Sequence, residues 1–261
     1  GVGHVGTRVA RLAAALGLRV LLNDPPRQVV EKKPELRALA EILPQADFVS
    51  LHVPLTPDGP FATAHMVDCR FLSQLKPGCV FLNASRGEVV DEDCLMLALD
   101  QGWVSRVVLD VFEREPRVRR DVVERAALAT PHIAGYSYEG RVRGTVLCYE
   151  AACRYLEVDP VWSPGAVPGH TVRVDVRGRT VEEALHALVS AVYDIEDDDR
   201  AMRAGLALGW KVAKHGKSNA IVLVDGEATL GCGFGQMSRV DSVELAISKA
   251  RAQGLELSGA L

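Results

Sequence analysis

A doubly wound, parallel α/β sheet is the fold class this sequence predicts, and three observations predict it. Apolar stretches of strand length alternate with stretches of helical spacing from residue 1 to about residue 157, the pattern of a parallel sheet with crossover helices. Three of those strands run into residues with chemistry to offer. Phe81–Arg86 ends on Arg86, Val107–Pro116 carries Asp110 and then Glu115, and Leu128–Tyr136 delivers His132. Finally, Gly1-Val2-Gly3-His4-Val5-Gly6 is a GxGxxG turn that opens a helical pattern, the fingerprint of a Rossmann-type sheet. Such a turn follows a strand, and residue 1 is already its first glycine. The expected fold is therefore a Rossmann-type sheet lacking its first strand within residues 1–261, followed by a small α+β C-terminal region.

The elements read in order as follows. Val5, Val9, Leu12, Ala13 and Leu16 form the inward face of the first helix, and Leu18–Leu22 is a strand closed by Asp24. The Asp24-Pro25-Pro26 sequence predicts a turn, and Glu35–Leu43 a short helix. Phe48–Val53 is an apolar strand, stopped by Pro54 and a loop rich in Pro and Gly. Cys69–Leu75 is helical, Cys79–Asn83 a strand, and Asp91 caps a helix over Glu92–Gln101 that Gly102 ends. Arg106–Val111 and a short strand before Pro131 complete the alternation. Helical spacing from Tyr138 to Glu157 puts Val142, Val146, Tyr149 and Cys153 on one face.

Asp159–His170, with three prolines and two glycines, divides the chain as a linker. Beyond it, Thr171–Val176 alternates as a strand and Val181–Tyr193 reads as a helix with Leu185, Leu188, Val189 and Val192 inward. The acidic run 194–199 reads as a solvated turn. Ala204–Lys214, Asn219–Val224, Thr229–Cys232 and Val240–Gln253 then read as helix, strand, strand and helix. The expected division is 1–158 for a dinucleotide-binding domain, 159–170 for the linker, and 171–203 and 204–261 for two smaller pieces.

Composition narrows the class. A hydrophobic share of 48% and a charged share of 25% are those of a globular protein. A formal net charge of −4 argues against a nucleic-acid or anionic-membrane surface. No apolar run reaches the roughly 18 residues a membrane-spanning helix needs. The six cysteines show no CxxC spacing and fall in apolar elements, which predicts buried thiols, a cytoplasmic setting and no metal site.

The candidate chemistry follows from the strand ends. Ligands of open parallel sheets lie outside the carboxyl ends of the strands, so Arg86, Glu115 and His132 are expected to converge. A guanidinium, a carboxylate and an imidazole around one crevice suit proton transfer on a small anionic substrate. The glycines let a pyrophosphate approach the helix N-terminus. Asp24, about 20 residues on, accepts ribose hydroxyls and repels a 2′-phosphate, favouring NAD over NADP.

These motifs resemble a known family. Asn83-Ala84-Ser85-Arg86-Gly87, Leu109-Asp110-Val111-Phe112 with Glu115-Pro116, and Pro131-His132-Ile133-Ala134-Gly135 look like the NAD-dependent D-2-hydroxyacid dehydrogenases. Within it, Asp24-Pro25-Pro26-Arg27, Asp58-Gly59-Pro60-Phe61 with His65, and Gly135-Tyr136 with Glu139-Gly140-Arg141 resemble a branch acting on a phosphorylated 2-hydroxy acid. The resemblance, over about residues 1–203, implies a role for each matching position. Arg86 clamps the substrate carboxylate. His132 takes the 2-hydroxyl proton as hydride leaves for the nicotinamide, Glu115 orients His132, and Tyr136 touches substrate. Gly1, Gly3, His4, Val5, Gly6, Asp24, Val53, Ala84, Ser85, Arg86, Asp110 and Gly135 hold the cofactor. Residues 171–203 become part of a dimerisation domain, and the parent a homodimer. The family's N-terminal segment of about 120 residues, a size near the usual domain mode, is expected outside this chain. The alternatives are another D-2-hydroxyacid dehydrogenase and an NAD-binding or dimer-interface remnant without turnover.

From about Ala204 the likeness changes. Trp210–Lys214, Lys217–Val222 and Gly231–Ser242 resemble the formyltransferase half of a bifunctional purine-biosynthesis family, which predicts a chimera of two pieces. Gly231-Cys232-Gly233-Phe234-Gly235 reads as a strand-to-turn passage rather than a phosphate loop, because no strand–P-loop–Lys pattern surrounds it.

Overall fold

The computed structural model describes residues 1–135, 137–165, 171–213, 221–225, 228–233 and 239–255, with side chains left out for 209–244. The chain divides into two units, residues 1–131 with 198–261, and residues 132–197.

The first unit is built on a four-stranded parallel sheet in the order β1 (Phe48–Leu51), β2 (Cys79–Asn83), β3 (Val104–Leu109), β4 (Leu128–Ala129). Every neighbour in this sheet is parallel. The registers Leu51↔Asn83, Asn83↔Leu109 and Leu109↔Ala129 line up the carboxyl ends of all four strands. Strand β2 is buried at Cys79, Phe81 and Asn83, as expected of a strand with neighbours on both edges. Its Phe81 centres a core shared with Val67, Leu72, Val89, Leu95, Val107 and Val122.

Helices α1 (His4–Ala15), α2 (Pro25–Glu31), α3 (Leu39–Ile42), α4 (Cys69–Ser73), α5 (Glu92–Asp100) and α6 (Arg120–Arg125) connect or flank the strands. Their starts obey local chemistry. Asp68 accepts the Phe71 N–H at 2.8 Å and Asp91 the Cys94 N–H at 2.9 Å, satisfying first-turn donors that have no intrahelical acceptor. Asp24 does the same for Arg27 at 3.1 Å. The Asp-Pro-Pro sequence therefore starts α2 instead of making a turn, because proline at the first helical positions is pre-set for the helix.

Two apolar stretches depart from expectation. Leu18–Leu22 contributes only one bridge residue, Leu22 to Leu36, and joins no sheet. On α1 only Gly6 is buried; Val5, Leu12 and Leu16 are 60% exposed or more. A cavity of about 460 Å³ lies among α1, residues 18–23 and β1, lined by Val9, Ala13, Leu22, Phe48 and Leu51 among others. The outer edge of β1 faces this cavity, so 18–22 has no ladder to join and the α1 stripe no sheet to cover.

The cysteine expectation is also overturned. Cys69 and Cys94 form a disulfide between the starts of α4 and α5, with Cα atoms 4.8 Å apart. Cys79 and Cys153 are buried thiols and Cys148 is exposed; burial pushes the Cys79 thiol up to about 11.

In the second unit, α7 (Tyr138–Tyr155) starts on a Ser137 cap and α8 (Val181–Val192) on a Thr180–Glu183 capping box. The α7 face foreseen as inward is the less exposed one, ending on buried Cys153. The Tyr149 hydroxyl accepts the Val161 and Trp162 N–H groups at 2.8 and 3.0 Å, and the Tyr149 and Trp162 rings meet edge to face. No strand forms over 171–176. Leu185, Leu188, Val189 and Val192 of α8 are exposed rather than inward, because a unit this small offers little surface to bury them against.

The acidic run expected as a turn is helical: α9 covers Ile195–Ala213. Strands β5 (Ile221–Asp225) and β6 (Ala228–Gly233) form an antiparallel pair, and α10 (Arg239–Ala252) packs on it. Gly231-Cys232-Gly233 is the end of β6, while Phe234 and Gly235 lie outside the described residues, as do Tyr136 and 214–220. No described helix is long and apolar enough to cross a membrane, and no group of three or more metal-ligating side chains occurs among the described residues.

Candidate functional site

The glycine turn is shaped by contacts that only glycine permits. A Cβ on Gly1 would stand 2.3 Å from the His52 carbonyl oxygen, and one on Gly6 would stand 2.2 Å from the Gly1 oxygen. These two glycines pack the turn and α1 against the end of β1, with Val53 alongside. Gly3 differs: a Cβ there meets nothing within 4 Å. It is the N-cap of α1, has no side-chain cap, and no acidic residue occupies the first helical turn. The first-turn N–H groups and the positive end of the helix dipole thus face open space beside His4 and Val5, both exposed. That is a cradle for an anion. Burial also pushes the neighbouring His52 imidazole below its ordinary value.

Asp24 closes the other side. Its Oδ2 accepts the Val2 N–H at 2.7 Å while Oδ1 caps α2, which ties the glycine turn to the segment after residue 22. Arg27 lies close by, but its guanidinium is committed to Glu31 and to the Val2 carbonyl. A group held this way is not offered to a 2′-phosphate, which agrees with the choice of NAD.

After β2, Asn83 folds the chain. Its Oδ1 accepts from Ser85 N and Ser85 Oγ at 3.0 and 2.8 Å, and its Nδ2 donates to the Arg86 carbonyl at 2.9 Å. Asn83 and Ser85 are thereby buried and Ala84 and Arg86 left exposed. The Arg86 Nη1 donates to the Ser85 carbonyl at 2.7 Å. Gly87 follows, where a Cβ would lie 1.9 Å from the Phe112 carbonyl oxygen. Only a glycine lets the Arg86 turn close onto the loop after β3.

That loop carries Asp110 and Glu115. Asp110 is buried; its N–H donates to the Asn83 carbonyl at 3.0 Å and its Oδ1 accepts the Thr130 hydroxyl at 2.6 Å. Exposed Glu115 accepts the Phe112 N–H through Oε1 at 2.8 Å, and its bond to Pro116 is cis. Glu113 and Glu92 exchange backbone-to-carboxylate hydrogen bonds at 3.0 and 3.2 Å, pinning the loop to the start of α5. His65 is exposed and pairs with Glu113 at 3.0 Å. Burial and the nearby Glu113 charge raise the Glu92 carboxyl above its usual range, against the Glu113 N–H that lowers it.

His132 begins the second unit. It is exposed, with φ at 57°, a left-handed conformation that side-chain-bearing residues adopt sparingly and often at functional sites. Gly135 is exposed, with open space where a Cβ would project. Of the expected residues, Gly1, Gly3, His4, Val5, Gly6, Asp24, Val53, Ala84, Ser85, Arg86, Asp110 and Glu115 belong to one unit, at the carboxyl ends of its strands or at the glycine turn. Thr130, Glu113 and Glu92 were not foreseen; Thr130 sits two residues before His132, the one sequence signal that could have drawn attention to it.

Comparison with known proteins gives this arrangement its class. Residues 1–134 match the family model of the D-isomer specific 2-hydroxyacid dehydrogenase, NAD binding domain, and the chain belongs to that family. The cofactor of this domain is NAD, and the open Gly3 cradle fits it. The relatives are more particular. Erythronate-4-phosphate dehydrogenase of Edwardsiella ictaluri is 42% identical over 205 residues, 78% of this chain and 55% of that protein. Its namesake from an Escherichia coli strain is 38% identical over 78% of this chain and 54% of that protein. Among solved structures, D-lactate dehydrogenase from Aquifex aeolicus, complexed with NAD and lactic acid, has a TM-score of 0.50 at 30% identity, covering 60% of this chain and 52% of that one. The chain thus spans about half the length of the curated relatives it matches. A second family model, the AICARFT/IMPCHase bienzyme, matches residues 179–249, so the expected second piece is present and its likeness begins earlier than residue 204.

Proposed function

We propose that the protein oxidises the 2-hydroxyl of 4-phospho-D-erythronate to 2-oxo-3-hydroxy-4-phosphobutanoate, with NAD as hydride acceptor. The observation that carries this reading is that Gly87 closes the Arg86 turn onto the loop that carries Glu115, on the same unit as the glycine turn. The 42% identity to a protein named for that substrate supports the choice of substrate.

The roles follow from chemistry. NAD, when bound, supplies the nicotinamide that accepts hydride. Gly3 and the α1 N-terminus, with His4 and Val5, take the pyrophosphate, and Asp24 the ribose. Asp110, Ala84, Ser85, Val53 and Gly135 line the remaining cofactor surface. Arg86 presents a planar fork to the substrate carboxylate and C2 oxygen. His132 receives the 2-hydroxyl proton as base, Glu115 orients its imidazole, and Tyr136 touches substrate. The protein works as a homodimer through its second unit, whose exposed Val181, Val189 and Val192 on α8 suit burial against a second copy. We place it in the cytoplasm, as a dehydrogenase of the pyridoxine route.

The test is NADH formation from NAD and 4-phospho-D-erythronate by the full-length protein. Arg86→Ala should lower kcat/KM by about 10³-fold or more, as expected for loss of a bidentate carboxylate clamp. Equal rates for the parent and Arg86→Ala discard the assignment.

A further inference from the structure

Helix α9 reaches back onto the sheet through two side chains. Asp199 Oδ1 accepts the Ala129 N–H at 2.7 Å, on the edge of β4 that no described strand pairs with; the other edge pairs with β3. One turn along α9, Arg203 grips the same carboxylate with two bonds, Nε to Oδ2 at 2.8 Å and Nη2 to Oδ1 at 2.9 Å. The guanidinium also turns toward α6. Its Nη1 donates to the Val123 carbonyl at 2.7 Å and Nη2 to the Ala126 carbonyl at 2.9 Å. Carbonyls at a helix end lack an intrahelical partner, and a cation there also complements the helix dipole. Met202, between the two, is fully buried in the core. Burial pushes the Asp199 carboxyl upward, but the Arg203 guanidinium and the Ala129 N–H outweigh it and hold the group below its ordinary value.

What the brace holds matters because of the next residue. Strand β4 is two residues long, paired to β3 only as Val108↔Leu128 and Leu109↔Ala129. Directly after it, the buried Thr130 hydroxyl donates to the buried Asp110 carboxylate at 2.6 Å. A strand this short is weakly fixed by its own ladder, so its outer bond to Asp199 helps decide where Thr130 stands.

We propose that Asp199 and Arg203 are positioning residues of the cofactor crevice: through the Ala129 amide they place Thr130, and Thr130 places the Asp110 carboxylate. The proposal rests on the NAD reading above and extends it to a segment that the sequence treats as an acidic, solvated run.

Fluorescence titration of NADH into the full chain tests it, with the thermal midpoint of each variant recorded alongside. Asp199→Ala and Thr130→Val should each weaken NADH about tenfold, the scale of one charge-assisted hydrogen bond. The double variant should lose no more than either single one, since both act on one path. Thr130→Ser, which keeps the hydroxyl, should stay within about twofold of the parent, on the same reasoning. An Asp199→Ala chain that melts lower yet keeps the parent's NADH affinity reduces the brace to a structural contact and overturns the proposal, as does a double variant whose losses multiply. Should Asp199→Ala fail to fold, Arg203→Gln decides: a folded chain with NADH weakened severalfold supports the proposal, and a folded chain with the parent's NADH affinity overturns it. A parent chain that binds no NADH refutes the cofactor reading before any substitution is made, and this proposal falls with it.

Discussion

Two regions of the sheet-bearing unit meet similar apolar sequence with opposite outcomes. Around β2 and β3 nearly every group finds a partner. Phe81 is wholly buried, Asn83 spends its amide on three bonds, and Gly87 lies directly against the Phe112 backbone. Around α1 and residues 18–22, the apolar stripe is exposed and the expected strand shrinks to a single bridge. The lesson is that an apolar pattern states a capacity for burial, and only neighbours on the correct side turn it into structure. An exposed Leu forfeits the roughly 1.5–3 kcal/mol its burial would give.

The difference can be broken first at its strong end. Phe81→Ala should cost about 4 kcal/mol in denaturant unfolding, the range for emptying a large aromatic site in a core. Leu12→Ala, at a position 67% exposed, should change stability by no more than about 0.5 kcal/mol. Comparable losses at both sites would mean that the α1 stripe is buried in solution.

Next in size is the closure between the Arg86 turn and the Phe112 loop. Gly87→Ala places a methyl group where the Phe112 carbonyl stands and should destabilise the unit by about 3 kcal/mol, because backbone must move. Gly17→Ala is a control of another kind: open space surrounds Gly17, but its φ of 84° strains a side chain, at about 1 kcal/mol.

The smallest effect concerns Glu92. Its Oε2 is buried with no partner among the described residues, and its carboxyl is raised above the ordinary value of 4.5. A carboxyl raised on folding gives stability that is full below the unfolded value and is lost as pH rises through the folded one. Glu92→Gln keeps an oxygen for the Glu113 N–H without the charge. The variant should therefore gain on the parent as pH rises from 4 to 8, read as thermal midpoints at each pH. A gap that is flat with pH would contradict the raised carboxyl.

Much of this was legible in the sequence, and the failures have physical reasons. Strand β2, its flanking helices and the Asp91 cap follow from local signals that tertiary packing reinforces. Asp24-Pro25-Pro26 carried two meanings, turn and helix start, and the sequence does not choose between them. Cys69 and Cys94 are 25 residues apart in sequence, and nothing in that spacing says that α4 and α5 begin side by side. The run 194–199 looked solvated because the groups that employ Asp199 and Arg203 lie between 70 and 80 residues away. At the site, Arg86, Asp110 and Glu115 announced themselves by their place after strands. Thr130 and Glu113 did not, since their roles depend on which loops touch.

The most direct measurement is NADH titration of the chain carrying Gly3→Val. Gly3 has an ordinary φ of −75° and open space before it, so a folded chain with a melting temperature only slightly lowered by the poorer helix cap, and at least about a tenfold loss of NADH affinity as the side chain fills the phosphate approach, are expected. A folded Gly3→Val chain that binds NADH as tightly as the parent would contradict the cradle at Gly3.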